Sequence, residues 1–245
     1  AGSANVASYL AGQRGRNLRF YVDHLHEPGY MGVKNLLRTG QFFGLQYIYQ
    51  TLTNSDGADP IDYPAIMANP AEFELVATDA ATGKPVYFTK DDMKQDDYRA
   101  IMASCALPVM CRPISFKDQT YFDGGLSDSV PIMRAFAKGC DRVVVILSKP
   151  RSFVKQPEGF RHIYRHALRK YPQTIAALDN RHLMYRQNIA DVKKQESAGK
   201  ALVFAPSKEL KMSTYARDEK LEQELYDLGI SDFDARLNEL HTFLS

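Results

Sequence analysis

Gln119-Thr120-Tyr121-Phe122-Asp123-Gly124-Gly125 sets a short β-branched and aromatic run directly before an acid and two glycines. The run has the composition of a strand, and the glycines end it, because glycine takes positive φ freely and lets another chain pass close by. Pro131 to Lys138 then reads as a helix, with Pro in its first turn and Gly139 just past its end. Arg142-Val143-Val144-Val145-Ile146-Leu147 follows, an apolar run of strand length with the pattern of a strand buried on both faces. Strand, helix and strand in that order predict an α/β domain on a mostly parallel sheet flanked by helices. An acid at the carboxyl end of a strand is where such domains keep their chemistry.

The chain upstream fits the same plan. Glu72 to Asp79 alternates and carries β-branched and aromatic residues, Thr82-Gly83-Lys84 turns it, and Pro85-Val86-Tyr87-Phe88 pairs back as a hairpin. Tyr98 to Cys105 reads as a helix stopped by Pro108, and Asp62 to Met67 as a short helix after the turn cluster Asn54 to Pro60. Residues 16–53 mix helix and loop, broken at Pro28-Gly29, Gly32, Gly40 and Gly44. Phe42, Phe43, Leu45, Tyr47, Ile48 and Tyr49 within that stretch are read as core aromatics and aliphatics rather than a lid. Ala1 to Leu10 reads as a helix of small residues, and with no initiator Met and no charged leader it does not read as a signal peptide or transit sequence. An α/β domain rarely opens on such a helix with no strand ahead of it, so the chain is expected to begin inside a domain. Beyond Pro150 it reads as helical apart from Ala201 to Pro206, with Leu237, Leu240 and Leu244 spaced to dock a last helix. The expected division is a core over 1–150 and a mainly helical region over 151–245 packed on it.

Composition narrows the function classes. Of 245 residues, 44% are hydrophobic and 24% charged, which is a globular and not a disordered profile. A net charge of +2 argues against a dedicated nucleic-acid binder, and no apolar run is long enough for a membrane-spanning helix. Cys105, Cys111 and Cys140 lack CxxC spacing, which points to buried free thiols in a reducing, cytoplasmic setting. His162 and His166 lie four apart, but Ile163 stands where an H-E-x-x-H zinc site needs glutamate, so no metal is expected.

Ala1-Gly2-Ser3-Ala4 has the residues that would follow the serine of a G-x-S-x-G nucleophile elbow. On that reading Ala1 and Gly2 are the last two positions of the motif, and the serine is the residue before Ala1. Ser3 competes for the role and is set aside, because Asn5 sits where its motif would need glycine. With Ala77 to Phe88, Ala103-Ser104-Cys105-Ala106-Leu107-Pro108 and Tyr121 to Pro131, these are four blocks in the order of one family. The chain resembles the bacterial branch of the patatin-like phospholipases over about residues 1–150. The resemblance implies a three-layer sandwich and a two-residue machinery. Its members are the elbow serine and the aspartate of the Asp-Gly-Gly motif, here Asp123, with Gly124 and Gly125 beside it. It also implies a glycine-rich oxyanion loop ahead of the elbow, which this chain does not contain, and it implies no metal or organic cofactor.

The chemistry asks for such an arrangement. A serine hydroxyl needs an adjacent base to take its proton as it attacks a carbonyl. A carboxylate is a weak base, so the transfer must be concerted with bond formation, and oxyanion donors then carry much of the rate. The expected activity is therefore lipid acyl hydrolysis through an acyl-serine, with a thioesterase or acyltransferase as the nearest alternative. A lipid- or partner-binding module without turnover is the alternative from a different class.

Charge is distributed unevenly. From Lys149 to Lys194 there are eleven basic residues (149, 151, 155, 161, 165, 169, 170, 181, 186, 193, 194) against Glu158, Asp179 and Asp191. From Ser207 to Ser245 five basic residues meet nine acids. The basic stretch reads either as a solvated helical face or as a peripheral contact with anionic lipid, each Lys or Arg near such a surface contributing roughly 1 kcal/mol. Arg161, Arg165 and Arg169 recur at four-residue spacing and are the expected contact residues, along one side of a helix.

Overall fold

A computed structural model describes residues 2–210 and 217–245. The chain divides into two compact units, one of residues 1–128 with 157–181, the other of 129–156 with 182–245. A boundary at 150 therefore falls inside the second unit.

The first unit is built on four strands, β1 (Glu74–Asp79), β2 (Pro85–Thr89), β3 (Ile114–Phe116) and β4 (Gln119–Asp123), in the order β2-β1-β4-β3. Every pairing is antiparallel, with Ala77 opposite both Val86 and Asp123, and Ile114 opposite Tyr121. The expected mostly parallel sheet is thus corrected. The reason lies in the connections, because two of the three pairings are hairpins too tight for a crossover. The β1–β2 turn is fixed by the Asp79 carboxylate, which accepts from the Ala81 and Thr82 amides at 3.0 and 2.7 Å, with Gly83 at φ +68°. The β3–β4 turn sets Lys117 and Asp118 at φ 47° and 59°, the twist that a two-residue hairpin loop requires.

Alternation along β4 separates two faces. Tyr121 packs with Leu75, Ala77 and Phe88 in a core shared with α5 (Arg99–Cys105) and α1 (Gly2–Leu10). Ala100 and Ala103 of α5 are fully buried, small enough to let this helix lie close on the sheet. Phe122, one residue on, points the other way into a cluster of Ala80, Leu126, Tyr164, Leu168 and Leu178. Tyr164 lies in α7 (Arg161–Ala167) and Leu178 in α8 (Pro172–Ser197), so helices flank both faces of the sheet. Between α1 and the sheet run α2 (Arg16–Val22), α3 (Val33–Thr39), a π-helical turn at Tyr47–Leu52 and α4 (Tyr63–Ala68). Leu45 and Ile48 are buried here, with Phe42, Phe43 and Tyr49 half-buried against the cores.

The second unit holds α6 (Ile132–Ala137), β5 (Val143–Ile146), most of α8, β6 (Ala201–Phe204), α9 (Glu219–Asp234) and α10 (Leu237–Leu244). Among the described residues its one strand pairing, Val143–Ile146 on Ala201–Phe204, is parallel. Val145 packs with Ile132, Val192 and Val203, but Ile146 is 78% exposed. The expectation that β5 is buried on both faces is corrected, since a β-branched run in a two-stranded sheet covers only one of its faces. Leu237 and Leu244 are likewise exposed while Leu240 is half-buried, so among the described residues the leucine stripe of α10 is covered only in part.

Candidate functional site

Asp123 closes β4, and the chain turns at once into the 3₁₀ turn Gly124–Leu126. Register puts Asp123 opposite Ala77, hence on the sheet face that carries α5 and α1. Its carboxylate Oδ1 accepts the Gly125 amide at 2.7 Å, and Oδ2 has no hydrogen-bond partner among the described residues. The Asp123 amide donates to the Ala106 carbonyl at 2.9 Å, and the Asp123 carbonyl accepts from Thr78 Oγ1 at 2.8 Å. Thr78 Oγ1 also lies 2.8 Å from Ser127 Oγ, so the buried Thr78 hydroxyl ties both ends of the turn to β1.

Gly124 answers to crowding. A Cβ there would come 2.2 Å from the Val76 carbonyl oxygen, closer than any side chain permits, so only glycine lets the turn cross β1. The Gly125 amide donates to the Asp123 carboxylate, and its carbonyl accepts from Arg181 Nε at 2.8 Å.

Ala1 lies outside the described residues. Gly2 opens α1, with nothing within 4 Å of where its Cβ would be. Ser3 does not face open space as a free nucleophile would. Its hydroxyl lies 2.6 Å from that of Ser104, which is 6% exposed near the end of α5. Residues 104 and 106 therefore fasten, respectively, the start of α1 and the backbone of Asp123. Nothing in the sequence singles out Ser104 for this task, since its link to Ser3 spans 101 positions and has no local signature.

Cys111 packs in the same core, and burial first of all, with the Cys105 thiol and the Asp123 charge adding to it, pushes its thiol up to about 12. That is an inert thiol at neutral pH. Cys105 is half-buried, 3.5 Å from the Tyr49 hydroxyl. Cys140 is exposed, which corrects the expectation of three buried thiols, because it falls in the loop between α6 and β5 rather than on a core face.

Arg161, Arg165 and Arg169 do not share one helix. The helix α7 ends at Ala167, and Pro172, whose ring and missing N–H prevent it from extending α7, starts α8 instead. Arg169 thus lies in the turn between them. Arg161 and Arg165 both bind the Asp179 carboxylate, at 2.9 and 2.8 Å, although their side chains stay about half exposed. Tyr164 donates to the same carboxylate. Among the described residues no group of three His, Cys, Asp or Glu side chains is placed to hold a metal, and no helix is long and apolar enough to cross a membrane. A cavity of about 160 Å³ within the second unit is lined by Leu147, Phe153, Tyr185 and Val192 beside the Arg151–Glu196 pair, and it includes no residue bonded to Asp123.

Two family models match the chain. The model of the patatin-like phospholipases covers residues 1–136, and that of a domain of unknown function, DUF6363, covers residues 171–245. A curated relative, the uncharacterized protein YjjU of Escherichia coli (strain K12), is 23% identical over 166 residues. That alignment takes in 67% of this chain and 46% of the relative, so the chain spans about half the length of the protein it resembles. With more than half of its residues under the first model, and with Asp123-Gly124-Gly125 inside the match, the chain belongs to the patatin-like phospholipase family.

Proposed function

We propose that the protein carrying this chain is a lipid acyl hydrolase that cleaves fatty-acyl esters through a Ser–Asp dyad. Asp123 is the base and the serine is the residue before Ala1. The observation that supports this most is the Asp123 carboxylate itself. One oxygen is oriented by the Gly125 amide, while the other is left without a protein donor among the described residues, on the sheet face that carries α1. A base that must receive a proton needs such an open oxygen.

In the reaction the seryl proton passes to Asp123 as Oγ bonds to the acyl carbon. Collapse of the tetrahedral intermediate breaks the ester C–O bond, and the proton goes to the departing alcohol oxygen. Water then gives its proton to Asp123 as its oxygen attacks the acyl-serine, and the serine leaves with that proton, releasing the fatty acid. A thioesterase would use the same steps on a thiolate leaving group, and an acyltransferase would replace water with another acceptor.

The test is labelling of the complete protein, including the residues ahead of Ala1, with a fluorophosphonate, followed by peptide mapping. The expected adduct lies on the serine before Ala1. An adduct on Ser3 would refute the elbow assignment, and no adduct together with no ester hydrolysis would favour a binding module without turnover.

We propose further that the first unit touches anionic membrane surfaces at and just beyond α7. Support comes from Phe160 and Ile163, 83% and 57% exposed among the arginines of this stretch.

A further inference from the structure

The second glycine of the Asp-Gly-Gly turn links the Asp123 carboxylate to α8. Gly124 is fixed by its fit against β1, and its carbonyl accepts from the Ser127 and Asp128 amides at 3.1 and 3.0 Å. Gly125 has no side chain to pack, yet its amide orients the Asp123 carboxylate. Its carbonyl is held by a residue 56 positions away, Arg181 on α8. The guanidinium makes a second bond, from Nη1 to Glu158 Oε1 at 3.0 Å, and both side chains are about three-quarters buried.

The helix that presents Arg181 is itself locked to the strands around Asp123. Thr174, fully buried, donates to the Ala80 carbonyl at 2.9 Å, just past the end of β1. Leu178 packs with Phe122 and Leu126, the residues that bracket the turn. Positions 174, 178 and 181 follow the i, i+4, i+7 spacing of one helix face, so all three meet the same surface. The hairpin turn leaves room for this approach, since a Cβ on Gly83 would come 2.7 Å from the Gln173 carbonyl oxygen.

We propose that Arg181 is a positioning residue for the Asp123 base, and that this start of α8, beyond the patatin-like match and inside the DUF6363 match, is a working part of the catalytic unit. The inference deepens the dyad reading and rests on it for its kinetic consequence. Arg181 touches no reacting atom. It holds Gly125 by the carbonyl so that the amide of the same residue stays aimed at Oδ1, leaving Oδ2 turned toward the serine. Arginine suits the task because its planar fork reaches the Gly125 carbonyl and Glu158 together, whereas a lysine ammonium is a single flexible point.

The experiment compares Arg181→Met, Arg181→Lys and Glu158→Gln in the complete protein. It reads kcat and KM on a short soluble acyl ester, melting temperature, and hydrogen exchange at the Gly125 amide. A small misplacement of a catalytic group can cost about 10²-fold, so Arg181→Met should lower kcat by about 10- to 100-fold with KM within about twofold. Exchange at Gly125 should rise about tenfold, a local opening made easier in the absence of the clamp. Arg181→Lys should recover part of both losses, and Glu158→Gln, which keeps the Gly125 contact, should show the same pattern more weakly even if Arg181→Met folds poorly. Unchanged kcat and exchange in folded Arg181→Met would overturn the proposal. So would losses in kcat and KM that merely track melting temperature, with lysine no better than methionine. A wild-type protein that hydrolyses no acyl ester would sink the hydrolase reading alone, and Gly125 exchange would still decide whether the clamp exists.

Discussion

Two aspartates of the first unit hold their carboxylates in opposite ways. Asp179 on α8 is saturated, bound by the guanidinium groups of Arg161 and Arg165 and by the Tyr164 hydroxyl. Hydrogen bonds from Arg161 first, then Tyr164 and Arg165, hold its carboxyl well below the usual carboxylate range. Asp123 takes a single amide on one oxygen and keeps the other open among the described residues. The first arrangement fastens a helix to its neighbour, and the second leaves one oxygen open, as the proposed role of Asp123 requires. Residue type is the same in both, so the donors supplied by the surrounding chain decide which carboxylate keeps an open oxygen.

The hardest test of that contrast is to remove each charge while keeping its shape. Asp123→Asn in the complete protein should lower ester hydrolysis by about 10²–10⁴-fold, the range of general-base assistance, with little change in melting temperature. Asp179→Asn should leave most of the hydrolysis in place. Comparable losses of turnover in the two variants would erase the distinction drawn from their donors.

A second test acts on the turn that sets Asp123 apart. Gly124→Ala pushes a methyl carbon to 2.2 Å from the Val76 carbonyl oxygen, so β1 or the turn must shift. Overpacking of this kind costs about 1–3 kcal/mol, and each kcal/mol lowers the melting temperature of a domain this large by about 2–4 °C. Thermal unfolding and hydrolysis should fall together. A Gly124→Ala protein as stable as wild type would mean that the close crossing of β1 is absent.

Local pattern carried part of this site and could not carry the rest. The β1–β2 hairpin, β4 and α5 were legible from alternation, from Thr82-Gly83 and from the stop before Pro108, and the acid before two glycines singled out Asp123. β3 is only Ile114–Phe116, too short to alternate visibly, and its turn at Lys117-Asp118 lacks the glycine that signals such loops. Strand direction escaped for a different reason. Helices between strands suggested crossovers, yet β1 and β4 pair antiparallel despite α5 lying between them in sequence, a choice made by packing across the whole unit. Arg181 stood in the sequence as one of eleven basic residues, and nothing near it names Gly125 as its partner. The four-residue spacing of Arg161, Arg165 and Arg169 fits one helix, but α7 stops at Ala167 and Pro172 opens the next helix, which leaves Arg169 in the turn.

The ion-paired aspartate gives a pH signature. A carboxyl held below its ordinary value, about 4, stabilises the folded state above that pH and loses the contribution as pH falls toward the folded value. Asp179→Asn should therefore melt below wild type at neutral pH, with the gap closing as the solution is acidified below about pH 4. The side chains of Arg161 and Arg165 are 58% and 49% exposed, so screening keeps the gap small, within about 1 kcal/mol or 2–4 °C. A gap that widens on acidification would show that Asp179 is protonated in the fold and not gripped as an anion.

The smallest effect is expected at the surface beside that clasp. Reversing the charge of Arg161 or Arg165 would break the Asp179 contacts as well as any lipid contact, so those variants confound two roles. Arg169 lies beyond α7, its guanidinium reaching only the His166 carbonyl, at 3.4 Å, among the described residues, and its neighbour Lys170 is exposed. Arg169→Gln should weaken sedimentation with vesicles containing phosphatidylserine by up to about fivefold, the share of one basic residue near an anionic surface. Added salt should weaken it further, because a Debye length of about 8 Å at physiological strength already screens the contact. Phosphatidylcholine vesicles alone should bind the wild type and the variant equally and poorly. If wild type bound both vesicle types alike, its attachment would not be electrostatic, and Arg161 and Arg165 would be left with the one role of holding Asp179 in place.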